Sequence, residues 1–265
     1  MLNRREHGEN TLEEKISEIK KRLKDTDDDK LHEFIKRYEK DERSGVTALL
    51  AQAAKRMAAY EKELARMEGM MRYEREYAAY SAICGIDEVG RGPLAGPVVA
   101  GAVILPKECG ILYLNDSKKL TAKMRDRLYD EIMEKAVATG IGFATEKRID
   151  EINILNATYE AMRMAIEKCM IKPDILLNDA VTIPEVSIRQ VPIIKGDAKS
   201  ASIAAASIIA KVTRDRYMEE MDKKYPGYGF ASNKGYGSGE HIAALKQSGP
   251  CEIHRKSFIG HFVTV

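Results

Sequence analysis

The sequence is poor in cysteine, and its four copies, Cys84, Cys109, Cys169 and Cys251, stand far apart. No CxxC pair occurs, which argues against a structural zinc site, and the wide spacing suits free thiols in a reducing compartment. Long apolar runs are missing too: nothing approaches the roughly 18 residues that a membrane span needs. The opening residues, MLNRREHGEN, carry no apolar stretch of the signal-peptide kind, so a cytoplasmic protein is the expectation. An excess of one charge is also lacking. Lys and Arg number 43 against 41 Asp and Glu, a formal net charge of +2. That balance admits a polyanionic partner but does not argue for one, because the distribution of charge is what matters. Proline is absent from the first 80 residues.

What is present is a soluble-type composition, 44% hydrophobic and 32% charged over 265 residues. At roughly 150 residues per domain this allows one large domain, or a domain with an extension. Residues 1–80 read as a helical extension. Leu12, Ile16, Ile19 and Leu23 recur at helical spacing, with Thr11 and Glu14 placed as a capping box. Leu31, Phe34, Ile35 and Tyr38 make a second apolar face. A third and longer one runs from Val46 to Met67, starting from Asp41 or Ser44. The extension either packs as a stabilising element or offers its Lys and Arg face to nucleic acid.

From residue 81 to 265 the pattern is α/β. Ile83–Val89 and Val98–Leu105 read as two strands close enough to form an antiparallel hairpin. A helix is expected over 121–138 with Thr121 as its cap, a strand over 141–145 and a helix over 150–170. Short strands follow at Ile175–Leu177 and Val191–Ile194. A strong helix covers 200–224, a glycine-rich loop follows Tyr225, and a helix covers 239–247.

Acidic residues fall at the ends of these strands: Asp87 and Glu88 on the first, Asp179 after ILLN, and Asp197 just past VPIIKG. Taken singly, each reads as a turn or cap residue. Together, carboxylates at the ends of strands in one sheet can converge. An all-oxygen donor set, with no His or Cys cluster nearby, favours Mg²⁺ or Mn²⁺ over zinc. Neighbouring strand residues point to opposite faces, so Asp87 and Glu88 share a site only if the strand ends or bulges there, for which Gly90 and Gly92 give the opportunity.

The run Gly90-Arg91-Gly92-Pro93-Leu94-Ala95-Gly96-Pro97 fails the dinucleotide fingerprint: residue 95 is Ala and a strand follows. Its glycines permit close backbone approach to a ligand, and Arg91 can fork onto a phosphate. A plain tight turn is the other reading. Small residues at Ser200–Ser202 open a helix that could take an anion or simply be capped. The Ala/Ser stripe from Ala201 to Ala210 reads as close helix-to-sheet packing. Lys211 and Arg214 either serve phosphate or solvate a face. Tyrosines among basic residues at 225–241, Tyr236 included, suit stacking on a sugar or base, or plain packing.

These blocks together resemble bacterial ribonuclease HII: GIDEVGRGPLAGPVVAGAVIL at 85–105, DSKKL at 116–120, KGDAKSASIAAASIIAKVTRD at 195–215, YPGYGFASNKGYGSGEH at 225–241 and HRKSF at 254–258. The resemblance spans about residues 82–258. It implies an RNase H-like fold, a central mixed sheet flanked by helices. It implies four metal-binding carboxylates, Asp87, Glu88, Asp179 and Asp197, holding Mn²⁺ or Mg²⁺ for two-metal hydrolysis. It implies a Gly90-Arg91-Gly92 turn that reads the ribonucleotide 2′-OH and phosphates through backbone groups, Tyr236 stacked on the sugar at the RNA–DNA junction, and Lys118 on the substrate backbone. The implied reaction is a cut 5′ of ribonucleotides in duplex DNA and in RNA–DNA hybrids, leaving 3′-OH and 5′-phosphate ends. Ribonucleotide excision repair and hybrid removal are the implied roles. A monomer with no membrane partner is expected, and protein partners are left open. Two features depart from the family pattern: Asn178 stands where an apolar residue is usual before the third carboxylate, and the extension lies outside the minimal domain.

Three rivals are weighed. A ribonuclease HIII would carry Lys at the position of Arg91 and a sheet-containing N-terminal domain. A non-catalytic binding protein would not need all four carboxylates. A small-molecule phosphatase would leave Tyr236 and the Gly90–Gly92 turn without a task.

Overall fold

The computed structural model of the chain describes residues 14–263. These form two compact units, one running to Arg66 and the other starting at Met67. In the first, α1 (Ile16–Asp25), α2 (Leu31–Tyr38) and all but the last turn of α3 (Ser44–Met70) are helical because their apolar residues recur at three and four. Ile19, Leu23, Leu31, Phe34, Tyr38, Val46, Leu49 and Ala53 close its core. Thr11 and Leu12 lie outside the described residues. Helix α1 starts at Ile16, and Glu18 accepts from the Lys15 N–H at 3.3 Å. Glu14, expected in the cap, instead accepts from the Tyr38 hydroxyl at 2.7 Å and pairs with Arg22. Arg56 clamps the α1–α2 connector, donating to the carbonyls of Leu23 and Thr26 and to Asp28.

The second unit opens with α4 (Arg72–Glu76) and is built on a mixed five-stranded sheet of order β3-β2-β1-β4-β5. Strands β1 (Ile83–Val89), β2 (Val98–Ile104) and β3 (Ala138–Ala144) are antiparallel neighbours, while β4 (Ile175–Asp179) and β5 (Arg189–Ile193) run parallel to β1. Every residue of β2 is buried, as expected of a strand covered on both faces. On one face α6 (Glu146–Lys168) lays Ala157, Ala161 and Ala165 against Ala100 and Ala102. On the other, α5 (Ala122–Lys135) and α7 (Ala201–Lys224) pack around Val103, Leu128, Ala205 and Ile208. Helix α7 lies so close that a Cβ on Gly101 would sit 2.4 Å from the Ala206 carbonyl oxygen. The Ala/Ser stripe is therefore what lets a helix approach a strand at backbone distance.

Several boundaries differ from the sequence reading: β3 starts at Ala138 rather than Ile141, β4 runs on to Asp179, β5 covers Arg189–Ile193, and two helices shift. Helix α5 stops at Lys135, because Ala138 already pairs with Ile104 and starts β3. Helix α6 starts at Glu146, where Thr145 accepts from the Arg148 N–H at 3.2 Å. Asn153 interrupts it at φ 67°, and its side chain re-caps the following turn by accepting from Leu155 and Asn156. The glycine-rich tail holds a short helix α8 (Phe230–Asn233), followed by α9 (Gly239–Ser248) and α10 (Lys256–Ile259). Among the described residues no helix is long and apolar enough to cross a membrane.

Candidate active site

The register explains how carboxylates on opposite faces of one strand reach the same place. Strand β4 pairs with β1 only as far as Ile86–Asn178, so Asp87, Glu88 and Val89 project beyond their parallel neighbour. No bulge is involved: the β1–β2 ladder runs in regular register through Asp87–Gly101 and Glu88–Ala100. Of the two expected alternatives the strand end is the one seen: β1 stops at Val89, immediately before Gly90. Asp179 is the last residue of β4 and stands at the same sheet end. Its Oδ1 accepts from the Gly196 N–H at 2.7 Å, which ties it to the turn carrying Asp197.

The four carboxylates feel one another. Burial pushes Asp87 well above the ordinary carboxylate range, and the charges of Glu88 and Asp179 add to it. Glu88 is raised by burial and by Asp179, with Arg91 opposing. Asp197 is raised by burial, then by Asp116 and Asp179, with Lys118 opposing. Lys118 thus arrives at the site on an exposed turn, whose entry is fixed by Asp116 Oδ1 accepting the Lys118 N–H at 2.9 Å. Asp116 is a neighbour of the site that sequence reasoning passed over inside the DSKKL block. Ser207 on α7 was passed over as well: its hydroxyl lies 3.0 Å from Ser117 Oγ, and its influence opposes the upward push on Asp87, so it stands between that turn and the buried carboxylate.

The donor set consists of hard oxygens, and burial first, then neighbouring negative charge, holds Asp87, Glu88 and Asp197 above the usual carboxylate range, so a divalent cation is the ligand that would relieve them. Among the described residues no three Asp, Glu, His or Cys side chains lie arranged so that they could hold a metal ion as they stand. The oxygen chemistry fits a divalent ion, with the carboxylates as neighbours rather than a finished cage.

The raised carboxyls of Asp87, Glu88 and Asp197 predict how the metal-free protein responds to pH. Raised carboxylates bind protons more tightly folded than unfolded. Stability therefore falls as the pH rises out of the ordinary carboxylate range and through the raised values. The melting temperature of chelator-treated protein is expected to drop over that interval, and Mn²⁺ should restore it. Asp87→Asn should flatten the slope; a slope unchanged in that variant would separate Asp87 from the effect.

Next to the carboxylates, the Gly90–Pro97 loop is held by two arginines with no exposed surface. Arg255 donates to the carbonyls of Gly90 (2.6 Å), Arg91 (2.9 Å) and Gly96 (2.7 and 2.9 Å). Arg214 donates to Pro97 (2.9 Å), Ala95 (3.1 Å) and Lys234 (2.9 Å). Arg214 thus neither serves a phosphate nor solvates a face. Gly90 sits at φ 93°, and a Cβ there would lie 2.3 Å from Arg214 Nε, so the turn needs glycine twice over. The carbonyls of Gly90 and Arg91 already accept from Arg255, so the turn offers mainly N–H groups to an incoming oxygen. Arg91 itself is 45% exposed, its Nη1 3.5 Å from Glu88 Oε1.

Tyr236 is 44% exposed, and its ring stands over Gly92: a Cβ on that glycine would be 3.8 Å from Tyr236 Cε1. The Gly235 carbonyl accepts from the Leu94 N–H at 2.8 Å, which stitches the tyrosine loop to the Gly90–Pro97 loop. Asn178, the polar departure before Asp179, is fully buried; its Nδ2 donates to Gln190 Oε1 at 2.8 Å and to the Val181 carbonyl. The polar residue thus anchors the loop after β4, although its Oδ1 has no partner among the described residues.

Comparison with known proteins adds family evidence to this geometry. A family model described as ribonuclease HII matches residues 84–261, and one described as ribonuclease HII N-terminal domain matches residues 15–78. Ribonuclease HII of Lachnoclostridium phytofermentans is 62% identical over 245 residues, covering 92% of this chain and 96% of that protein. Ribonuclease HII of Acetivibrio thermocellus is 52% identical over 250 residues, covering 94% and 98%. Among solved structures, the ribonuclease H2 of Pyrococcus horikoshii superposes with a TM-score of 0.55 at 30% identity, over 66% of this chain and 92% of that one.

Proposed function

The chain belongs to the ribonuclease HII family and is a nuclease of the ribonuclease H class, and from that premise we propose that it cuts the phosphodiester 5′ of ribonucleotides in duplex DNA and in RNA–DNA hybrids. The observation that carries the proposal is the meeting, at one sheet end, of four mutually repelling carboxylates with a glycine turn and an exposed tyrosine. Asp87, Glu88, Asp179 and Asp197 would hold two divalent ions, Mn²⁺ or Mg²⁺. When bound, such ions supply Lewis acidity at the scissile phosphate and lower the pKa of the attacking water.

The chain's own residues do the reading. The 2′-OH is what distinguishes RNA from DNA at a given position. The N–H groups of the Gly90-Arg91-Gly92 turn, rigidly backed by Arg255, present donors to the hydroxyl and phosphate oxygens. A deoxyribose would leave such donors unpaired, a strong source of discrimination. Tyr236, standing over Gly92, packs its ring on the sugar at the RNA–DNA junction. Arg91, beside Glu88, and Lys118, whose charge acts on Asp197, engage backbone phosphates. The products are 3′-OH and 5′-phosphate ends, which suits a role in ribonucleotide excision repair and in hybrid removal.

The test is a DNA duplex with one embedded ribonucleotide, with Mg²⁺, Mn²⁺ or chelator, beside an all-DNA control. A metal-dependent nick 5′ of the ribose, absent from the control, is expected. Cleavage confined to long hybrids would overturn the junction reading. Tyr236→Ala should reduce the preference for the junction by roughly tenfold, the scale of one lost stacking contact; an unchanged preference would take Tyr236 out of the site.

A further inference from the structure

Beneath Tyr236 lie two buried histidines that the proposed reaction does not use. His241, on α9, has no exposed surface, and His254 is 3% exposed in the loop that bridges to Ala95. Their Nε2 atoms are 3.0 Å apart. The rings are enclosed by Tyr228 and Phe230, with centroids 5.0–6.3 Å away.

The hydrogen bonds fix both tautomers. The Cys251 backbone N–H can only donate, and it points at His254 Nδ1 from 3.0 Å. His254 Nδ1 is therefore the acceptor, and the ring's proton sits on Nε2. That Nε2–H donates to His241 Nε2. His241 in turn carries its proton on Nδ1 and donates it to the Tyr236 carbonyl at 2.8 Å. The chain of donors runs one way, from Cys251 through both imidazoles to the backbone of Tyr236. The Ser238 N–H donates to the same carbonyl at 2.8 Å, so this peptide is held from two sides.

We propose that His241 and His254 are positioning residues, a directed imidazole relay that sets the Tyr236 peptide, and so its ring, over the Gly90–Gly92 turn. The proposal rests on the reading of Tyr236 as the junction contact. Its chemistry demands that both rings be neutral, since a proton on either would place two donors face to face across 3.0 Å. The surroundings provide for that. Burial lowers His254 to about 4 and lowers His241 as well. The titratable groups that face the pair are each other, the Cys251 thiol 3.1 Å from His254 Nδ1, and the Tyr228 hydroxyl, which donates to the Gly249 carbonyl. Burial raises both the thiol and the phenol, so all four groups stay uncharged at neutral pH.

The relay is tested first in the free, full-length protein by ¹⁵N–¹H correlation of the imidazoles. His254 should show the Nε2–H tautomer and His241 the Nδ1–H tautomer, neither titrating between about pH 5 and 8. An Nδ1–H tautomer on His254, or ordinary titration of either ring, overturns the relay. Variants then separate positioning from packing. His241→Asn keeps a donor where Nδ1–H was, whereas His241→Leu keeps bulk and loses it. The ratio of kcat/KM for a single-ribonucleotide duplex to that for a long hybrid is expected to fall roughly fivefold to tenfold in His241→Leu, the scale of one lost buried hydrogen bond. It should stay near the parent's in His241→Asn, with cleavage still metal-dependent in both. A folded His241→Leu with the parent's ratio overturns the proposal. A Tyr236→Ala variant with unchanged junction preference, alongside the assigned tautomers, would instead overturn the reading of Tyr236 and leave the relay as a hydrogen-bond assignment.

Discussion

Asp87→Asn is expected to lower cleavage of a ribonucleotide-containing duplex on the order of 10³-fold or more, while duplex binding stays near the parent's. The size follows from what the substitution removes. Asparagine keeps the shape and an Oδ1 that can still accept from the Glu88 N–H, 2.8 Å away in the parent. It loses the negative charge and exchanges the second carboxylate oxygen for an NH2 donor, at the most deeply buried of the four carboxylates. Single-turnover cleavage in Mn²⁺, with binding measured under chelator, separates the two quantities; normal turnover would sink the metal-site assignment. Asp179 allows a finer comparison. Asp179→Asn retains the acceptor for Gly196, so it removes the charge and one ligand oxygen but keeps the turn, whereas Asp179→Ala also frees the turn that carries Asp197. Alanine should therefore be the more damaging of the two.

The carboxylates could be found in the sequence because the strands could. Strand β1 was legible to the residue, since Ile83–Val89 is a short apolar run closed by a glycine turn. What periodicity could not supply was the register. That β4 stops pairing with β1 at Asn178, and so leaves Asp87 and Glu88 projecting, depends on where two distant segments align. The same limit explains the overrun of α5, because Ala136, Val137 and Ala138 suit a helix locally and only the pairing of Ala138 with Ile104 makes that end a strand. Side chains whose partners are backbone carbonyls were the hardest to read. Arg214 sits in a helix stripe beside Lys211 and looks like surface charge, yet it is fully buried. Arg255 lies in a basic HRK run with nothing local to mark it as an interior residue. His254 gives no pattern either, because its partner His241 is 13 residues away in another element.

Arg255 carries the other large expected effect, and it concerns the fold of the reading turn rather than its chemistry. Arg255→Met should cost about 3 kcal/mol or more of unfolding free energy, because it strips the donors from three carbonyls, those of Gly90, Arg91 and Gly96. Among the described residues the guanidinium has no paired carboxylate and carries out this task as a lone cation. Burial and the nearby Arg214 push its pKa down to about 9, which still leaves it charged at neutral pH. The carbonyl dipoles, together with the more distant charge of Glu146, compensate for the water it has lost. Lysine has one nitrogen with which to meet three carbonyls, so Arg255→Lys should recover only part of the loss. Urea unfolding gives the comparison directly, with Arg91→Ala as the control. Arg91 is 45% exposed on the same turn, so its loss should change stability by no more than about 0.5 kcal/mol while raising KM. A stable Arg255→Met protein with normal discrimination would mean that the Gly90–Gly92 turn holds its shape unaided, and that its N–H groups need no buried cation behind them.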